Sequence, residues 1–125
     1  MKDLKELTKA EDQVMQILWE LERGFVKDII EKMPKPKPAY NTVSTIVRIL
    51  EAKGFVDHKA YGKTHEYFPV VSRDKYTKFY LNNLVKGYFG GNFKSLVSFF
   101  ASENDLDVKD LDALLMEIQK LKKQK

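Results

Sequence analysis

The sequence of 125 residues contains no cysteine. A disulfide framework, a thiolate metal site and a cysteine nucleophile are therefore excluded, and a reducing compartment is expected. The first residues are charged and have no apolar core of the kind found in signal peptides, and no apolar run approaches the length that spans a membrane. We therefore expect a cytoplasmic protein with no membrane partner.

Residues suited to catalysis or cofactor binding are also scarce. The two histidines, His58 and His65, are predicted on opposite strands of one hairpin, and without cysteine or a second ligand at helical spacing they predict no zinc site. The glycines at positions 87, 90 and 91 match no nucleotide-binding fingerprint. Solvation explains the carboxylates near the carboxyl terminus better than acid-base catalysis does. We predict no enzyme, no cofactor and no metal site.

Charge is unevenly distributed along the chain, although the net charge of +4 is modest. Between residues 35 and 63 the only acids are Glu51 and Asp57, and the bases are Lys35, Lys37, Arg48, Lys53, Lys59 and Lys63. Between residues 101 and 117 the only base is Lys109, and the acids are Glu103, Asp105, Asp107, Asp110, Asp112 and Glu117. The two regions therefore have opposite electrostatic character.

The segment from Tyr40 to Gly54 carries the clearest helical pattern. Its apolar residues recur at i, i+3, i+4 and i+7, which predicts one buried stripe: Val43, Ile46, Val47 and Leu50. Asn41 is predicted as the N-cap and Gly54 as the left-handed residue that ends the helix. The opposite face carries short hydroxyl groups and one guanidinium, with no acid among them: Thr42, Ser44, Thr45 and Arg48.

Such a polar face predicts a DNA-recognition helix. Short hydroxyl side chains near a helix N-terminus bond phosphates or base edges, and an arginine reaches guanine in the major groove. We therefore predict DNA contacts from Asn41, Thr42, Ser44, Thr45 and Arg48. The alternative, on this stretch alone, is an amphipathic helix whose polar face is only solvated.

Two further helices are predicted before this one. Thr8 and Glu11 have the spacing of a capping box, and apolar residues from Val14 to Leu21 continue the helix to near Gly24, with Trp19 packed in the core. A second apolar stripe ends at Pro34: Val26, Ile29, Ile30 and Met33. Two short helices that lead into a hydroxyl-rich third are typical of a helix-turn-helix unit.

A β-hairpin is predicted directly after the third helix. Residues 55–59 and 64–68 have strand character, and residues 60–63 include a glycine and form the turn. A hairpin in this position is typical of a winged helix, so we predict phosphate contacts from Lys59, Tyr61 and Lys63. Solvated edge-strand charge is the alternative explanation for the lysines.

From residue 72 onward the sequence predicts three more helices, the last capped by Asp107 with Leu106 and Leu111 as a hydrophobic staple. They carry more apolar surface than three short helices can bury among themselves, so pairing with a second copy is expected. We predict dimer contacts from Leu84, Tyr88, Leu96, Phe99, Phe100, Leu111, Leu115 and Ile118.

These patterns together predict a mainly α protein with a small β-hairpin wing, in which a winged helix-turn-helix is followed by a C-terminal helical dimerisation unit. The predicted DNA-binding domain spans residues 1–71 and the dimerisation domain spans residues 72–125. The expected function is that of a dimeric DNA-binding protein. The alternative is a winged-helix module that binds another protein without sequence-specific DNA binding.

The sequence resembles the penicillinase repressor family, the bacterial winged-helix regulators of beta-lactamase and methicillin-resistance genes. The most specific match is a motif in the third helix: Tyr40, Thr42, Val43, Thr45, Arg48, Leu50, Lys53 and Gly54. Residues Leu7 to Trp19 resemble the family's opening helix, Tyr67 and Pro69 its wing, and residues Tyr88 to Phe100 its dimerisation segment.

This resemblance implies a homodimer that represses transcription from a palindromic operator on double-stranded DNA, with the third helix in the major groove and the wing on the backbone. In the beta-lactam branch, a signal-responsive protease releases the repressor by a cut between an Asn and a Phe. Phe99 stands at the position of that Asn, so the same cut is not expected here. A copper-responsive branch uses C-terminal cysteines, which this chain lacks.

Overall fold

The computed structural model describes residues 4–104 and 106–123, and these residues form helices and one two-stranded antiparallel hairpin. In chain order the elements are α1 (Lys9–Leu21), α2 (Val26–Lys32), α3 (Tyr40–Ala52), β1 (Val56–Tyr61), β2 (Thr64–Pro69), α4 (Arg73–Tyr88), α5 (Phe93–Glu103) and α6 (Val108–Lys123). The predicted class, mainly α with a β-hairpin, is confirmed. None of the helices in the described residues is long and apolar enough to cross a membrane.

The chain divides into two compact units, Met1–Tyr80 and Leu81–Lys125, and the division falls within α4. The first turns of α4 therefore belong to the first unit. The boundary predicted between a DNA-binding and a dimerisation domain, at residue 71, stays a prediction, because compactness does not test function.

Helix α1 begins with the predicted capping box. The Thr8 hydroxyl accepts the Glu11 N–H at 3.2 Å, and the Glu11 carboxylate accepts the Thr8 N–H at 3.0 Å. The helix ends at Leu21, before the predicted end near Gly24. Gly24 instead pairs with Tyr67 of β2 through two backbone hydrogen bonds, of 2.9 and 2.8 Å, so the chain must leave the helix early to reach the hairpin.

Helix α3 begins two residues earlier than an N-cap at Asn41 implies, so the assignment of Asn41 as its N-cap was wrong. Ala39 is the N-cap: its backbone is extended, and its carbonyl accepts the Thr42 and Val43 N–H groups at 3.1 and 3.3 Å. No side-chain hydrogen bond caps this end of the helix, so the side-chain preference for an N-cap did not decide where α3 begins. Asn41 lies in the first turn, exposed.

The end of α3 follows the prediction. Gly54 has a φ of 85°, its N–H donates to the Glu51 carbonyl at 3.0 Å, and the Phe55 N–H donates to the Leu50 carbonyl at 2.9 Å. This pair of bonds is a Schellman motif, for which glycine is favoured because the left-handed conformation strains other residues. The motif turns the chain directly from α3 into β1.

The hairpin is longer and its turn tighter than predicted. Ala60 and Tyr61, assigned to the turn from the sequence, continue β1, and Tyr61 pairs with Thr64. The loop is Gly62 and Lys63 alone, and Gly62 has a φ of 62°. Two-residue hairpin loops need such a conformation to match the twist of the strands, so the strands extend to the last residue that can pair.

The core of the first unit lies between α1, α2, α3 and the hairpin, and the start of α4 closes it. The predicted stripe of α3 is confirmed: Val43, Val47 and Leu50 are fully buried, and Ile46 packs against them. The Trp19 indole N–H donates to the Val71 carbonyl at 2.9 Å, so Trp19 is a core residue as predicted.

The second unit has few buried side chains among its described residues. Asn92 caps α5 by accepting the Lys94 N–H at 2.8 Å. The predicted cap of α6 is confirmed, because the Asp107 carboxylate accepts the Asp110 N–H at 2.9 Å. Many large apolar side chains of this unit are exposed, among them several of the predicted dimer contacts.

Candidate nucleic-acid interface

Helix α3 separates its two predicted faces cleanly. The apolar stripe points into the core, so the hydroxyl-rich face must point away from it. Asn41, Thr42, Thr45 and Arg48 are exposed, and Ser44 is half-buried. A solvent-facing row of short hydroxyls and one guanidinium, fixed on a helix that the core holds rigid, is suited to contact a polyanion.

Two side chains of this face are oriented by the turn before them. The Thr45 hydroxyl donates to the Asn41 carbonyl at 2.8 Å. The Arg48 guanidinium donates to the Ser44 hydroxyl at 3.3 Å through Nη2 and to the Ser44 carbonyl at 3.4 Å through Nε. The two Arg48 bonds are long and exposed, and neither involves a charged group. They therefore orient the guanidinium without neutralising its charge.

The hairpin presents the second group of predicted contacts. Lys59, Tyr61 and Lys63 are all exposed. Lys59 and Tyr61 lie on β1, and the Lys59 ammonium lies 5.3 Å from the centre of the Tyr61 ring. Lys63 occupies the tip of the turn after Gly62. Lys59 and Lys63 therefore place two cationic groups along the edge and at the tip of the hairpin.

One cavity of about 190 Å³ brings α3 and the hairpin together. It is lined by Ser44 and Arg48 of α3 and by Lys63 of the turn, which are predicted DNA contacts, and also by Val26, Tyr40, His65 and Tyr67. The last four are not among the DNA contacts predicted from the sequence. Tyr40 and His65 also line an adjacent cavity of about 250 Å³ with Phe25, Val26, Lys27 and Thr64.

These additional lining residues come from three separate elements, so no spacing along the chain could have revealed them. The Tyr67 side chain is nearly buried, and this burial raises the pKa of its phenol. The Glu51 carboxylate raises that pKa further, and Arg48 lowers it. The phenol therefore stays neutral at physiological pH. Together the two cavities form a groove between α2, α3 and the hairpin with cationic residues at its margins.

Two lysines of the basic segment act within the fold instead of on its surface. The Lys53 ammonium lies 2.7 Å from the Glu11 carboxylate and joins the end of α3 to α1. The Lys37 ammonium donates to the carbonyls of Ile30, Glu31 and Met33 at 3.1, 2.7 and 2.7 Å, and so satisfies the end of α2. Neither is therefore a strong candidate for a phosphate contact.

The Glu11 carboxylate is nearly buried, with 5% of the residue exposed. Burial raises its pKa, but the hydrogen bond from Lys53, the Thr8 N–H and the Lys53 charge together lower the pKa below its ordinary value. Glu11 is therefore a structural anion that caps α1 and pairs with α3 at once.

Glu51 and Asp57, the two acidic residues between positions 35 and 63, lie close together beside the hairpin. His58 Nδ1 lies 2.9 and 3.0 Å from the two carboxylate oxygens of Glu51. The His58 ring stacks on the His65 ring, with centroids 4.1 Å apart and planes 9° from parallel. One ligand atom each from Glu51, Asp57 and His58 lie within 4.8 Å of one another, which is the one group in the described residues with the spacing of a metal site.

The predicted dimer contacts lie in the second unit with different exposures. Leu84 and Leu96 are partly buried. The other six are exposed, at 80% for Tyr88 and between 36% and 57% for Phe99, Phe100, Leu111, Leu115 and Ile118. Large exposed apolar side chains in such number are unusual on a monomer.

Comparisons with known proteins agree with this geometry. The chain is 29% identical over 110 residues to the methicillin resistance regulatory protein MecI of Staphylococcus aureus, with 87% of this chain and 89% of that protein covered. It is 21% identical to the penicillinase repressor of Bacillus licheniformis in an alignment of 126 residues, with 100% and 98% covered.

A solved structure and a family model also match this chain. The solution structure of the DNA-binding domain of the repressor BlaI superposes with a TM-score of 0.52 and 25% identity, and covers 61% of this chain and 94% of that one. The fold is therefore a winged helix, in which the hairpin is the wing. The family model for penicillinase repressors matches residues 7–120, and the chain accordingly belongs to the penicillinase repressor family.

Proposed function

We propose that this protein represses transcription as a homodimer bound to a palindromic operator, with α3 in the major groove and the wing on the phosphate backbone. The proposal adds the dimer, the operator symmetry and the contact residues to the general function of the family. Its members are transcriptional repressors and not enzymes.

The observation that carries the proposal is the outward face of α3. Thr42, Thr45 and Arg48 are exposed on a helix whose other face is fully buried at Val43 and Val47. Within the part of the chain that the structure describes, Arg48 has no charged partner and is held only by Ser44. A guanidinium in this state can form two parallel hydrogen bonds to guanine without first breaking an ion pair.

The wing supports the proposal through charge. Lys59 and Lys63 stand on the edge and the tip of the hairpin, and Lys63 shares a cavity with Arg48. In the proposed complex, the DNA backbone along the rim of the major groove beside α3 would pass close to the tip of the wing. Lys63 is therefore expected to neutralise backbone charge, which adds affinity without sequence preference.

The exposed apolar side chains of α5 and α6 support the homodimer. A winged helix reads one half-site, and two copies related by a twofold axis read a palindrome. Burial of Phe99, Phe100 and Leu115 against a second copy would remove their exposed surface from water. No membrane partner is part of this proposal, and a protease that releases the repressor would need a cut other than the Asn–Phe cut of the beta-lactam branch.

The test is a gel shift with the region upstream of the chain's own operon and with random DNA, each at two salt concentrations. Arg48→Ala is expected to cost about 1–3 kcal/mol on the operator and less on random DNA. Lys63→Ala is expected to weaken binding to both DNAs alike and to reduce the salt slope by about one.

Lys78→Ala, which removes an exposed lysine of α4, is the matched control and should leave both affinities unchanged. Equal losses on operator and random DNA for Arg48→Ala would refute base reading by α3. Failure of the wild-type protein to distinguish the upstream region from random DNA would favour a protein-binding module instead.

A further inference from the structure

We propose that Glu51, Asp57 and His58 bind one divalent transition-metal ion at the junction between α3 and the wing. Glu51 lies in the last turn of α3, and Asp57 and His58 lie in β1. The metal would join the helix that is proposed to read DNA to the strand that leads into the wing.

The donor atoms are close enough to share an ion. One atom from each of the three side chains lies within 4.8 Å of the other two. Two ligands of one zinc ion lie at most about 4 Å apart, since each bond is about 2.0–2.2 Å long. The separation is small enough to be closed by rotation of the half-buried Glu51 and exposed Asp57 carboxylate side chains.

The surrounding contacts hold the donors in place. The Schellman motif at Gly54 fixes the path from α3 to β1, so Glu51 and His58 face one another across a tight connection. Stacking of His65 on His58 sets the plane of the imidazole. The Asp57 carboxylate accepts the backbone N–H of His58 at 2.8 Å, which holds this carboxylate next to His58.

The chemistry of the donors favours zinc or a similar ion. A neutral imidazole and two carboxylates suit Zn²⁺ and Mn²⁺, whereas an all-oxygen set would suit Mg²⁺ or Ca²⁺. Three protein ligands leave at least one position for water. The contact between Glu51 and His58 is present without any metal, so the participation of Asp57 is what the metal site adds to it.

The charge of the cluster links the site to DNA, a step that rests on the proposed function. Glu51 and Asp57 are the only acids between residues 35 and 63. A bound divalent cation would offset both carboxylates and leave this segment uniformly positive beside α3. Metal binding is therefore expected to strengthen DNA binding.

The experiment is a titration of the metal-free full chain with Zn²⁺. Binding is monitored by calorimetry and by the NMR signals of the two histidine rings. We expect saturation at one zinc ion per chain with a shift of the His58 ring nitrogens. Glu51→Gln and Asp57→Asn should each weaken zinc binding by at least about tenfold, because loss of even an indirect partner of a metal ligand costs that much.

The matched control is Glu31→Gln, which removes an exposed carboxylate of α2 and should bind zinc like the wild type. Circular dichroism verifies folding of each variant, and if one does not fold the other still tests the site. Absence of binding to the wild type, or equal zinc affinity of the wild type and of both cluster variants, would overturn the proposal.

Gel shifts with and without Zn²⁺ separate this inference from the proposed function. About fivefold or greater tightening of operator binding is expected for the wild type and none for Glu51→Gln. Zinc binding at the cluster without specific DNA binding would support the site and refute the proposed function. Zinc binding with DNA affinity unchanged would support the site and overturn the coupling.

Discussion

Replacement of Lys53 by methionine tests the ion pair between α1 and the end of α3. The change removes the ammonium that lies 2.7 Å from Glu11 and retains most of the aliphatic chain. Glu11 then keeps its bond to the Thr8 N–H but loses its cation. Glu11 is only 5% exposed, so water cannot fully solvate its carboxylate in place of Lys53.

The expected loss is about 1–3 kcal/mol in the free energy of unfolding at neutral pH. Removal of one partner from a fully buried ion pair costs about 3–5 kcal/mol. The cost is smaller here because the Lys53 side chain is 26% exposed, so part of the site is open to water, and because Thr8 still binds the carboxylate.

The pH dependence has a definite sign. The pKa of Glu11 is lowered in the folded protein, so its charged form stabilises the fold above the ordinary carboxyl pKa, and this contribution is lost as the pH falls through the lowered value. Protonation of Glu11 also removes the charge that Lys53 neutralises. The difference between wild type and Lys53→Met should therefore shrink as the pH is lowered.

Urea unfolding followed by tryptophan fluorescence, at neutral and acidic pH, measures both effects, since Trp19 lies in the same unit. Lys78→Met is the control for loss of an exposed lysine and should change stability little. Glu11→Gln in the Lys53→Met background should recover part of the loss, because no unpaired charge remains. A Lys53→Met protein as stable as the wild type at neutral pH, or a deficit that grows in acid, would refute the reasoning.

Three further changes test other parts of the structure. Lys37→Met should lower the free energy of unfolding by about 1 kcal/mol, because three carbonyls at the end of α2 lose their donor; an unchanged urea midpoint would contradict this. Gly54→Ala should cost about 1–2 kcal/mol, because alanine is strained at a φ of 85°, and thermal unfolding measures it. Leu115→Asp should shift the proposed dimer toward monomer in sedimentation, because it places charge on an exposed apolar surface, whereas Lys120→Asp, a charge change on the same helix outside the predicted contacts, should not.

Much of the fold could be predicted because its signals are local. The capping box of Thr8 and Glu11, the cap at Asp107 and the left-handed Gly54 each depend on residues within one or two turns. The stripe of Val43, Val47 and Leu50 needs only the helical period. For these features the prediction from the sequence agrees with the structure.

The differences from the prediction lie at the ends of elements, where backbone pairing decided the outcome. Helix α1 ends before Gly24 because Gly24 pairs with Tyr67 of the hairpin. Helix α3 starts at Tyr40, where the Ala39 carbonyl accepts the first helical hydrogen bonds, and Asn41 does not cap it. Ala60 and Tyr61 extend β1 because Tyr61 still finds Thr64 across the hairpin.

For the candidate site, the sequence by itself determined which side chains of α3 face outward, since amphipathic spacing fixes both faces of a helix whose apolar side is buried. Only the tertiary structure decided that Lys37 and Lys53 bind groups within the fold, that Arg48 and Lys63 share a cavity, and that Glu51, Asp57 and His58 converge. The reason is geometric: residue type and period specify the local conformation of a segment, whereas contacts between segments depend on how the chain packs them together.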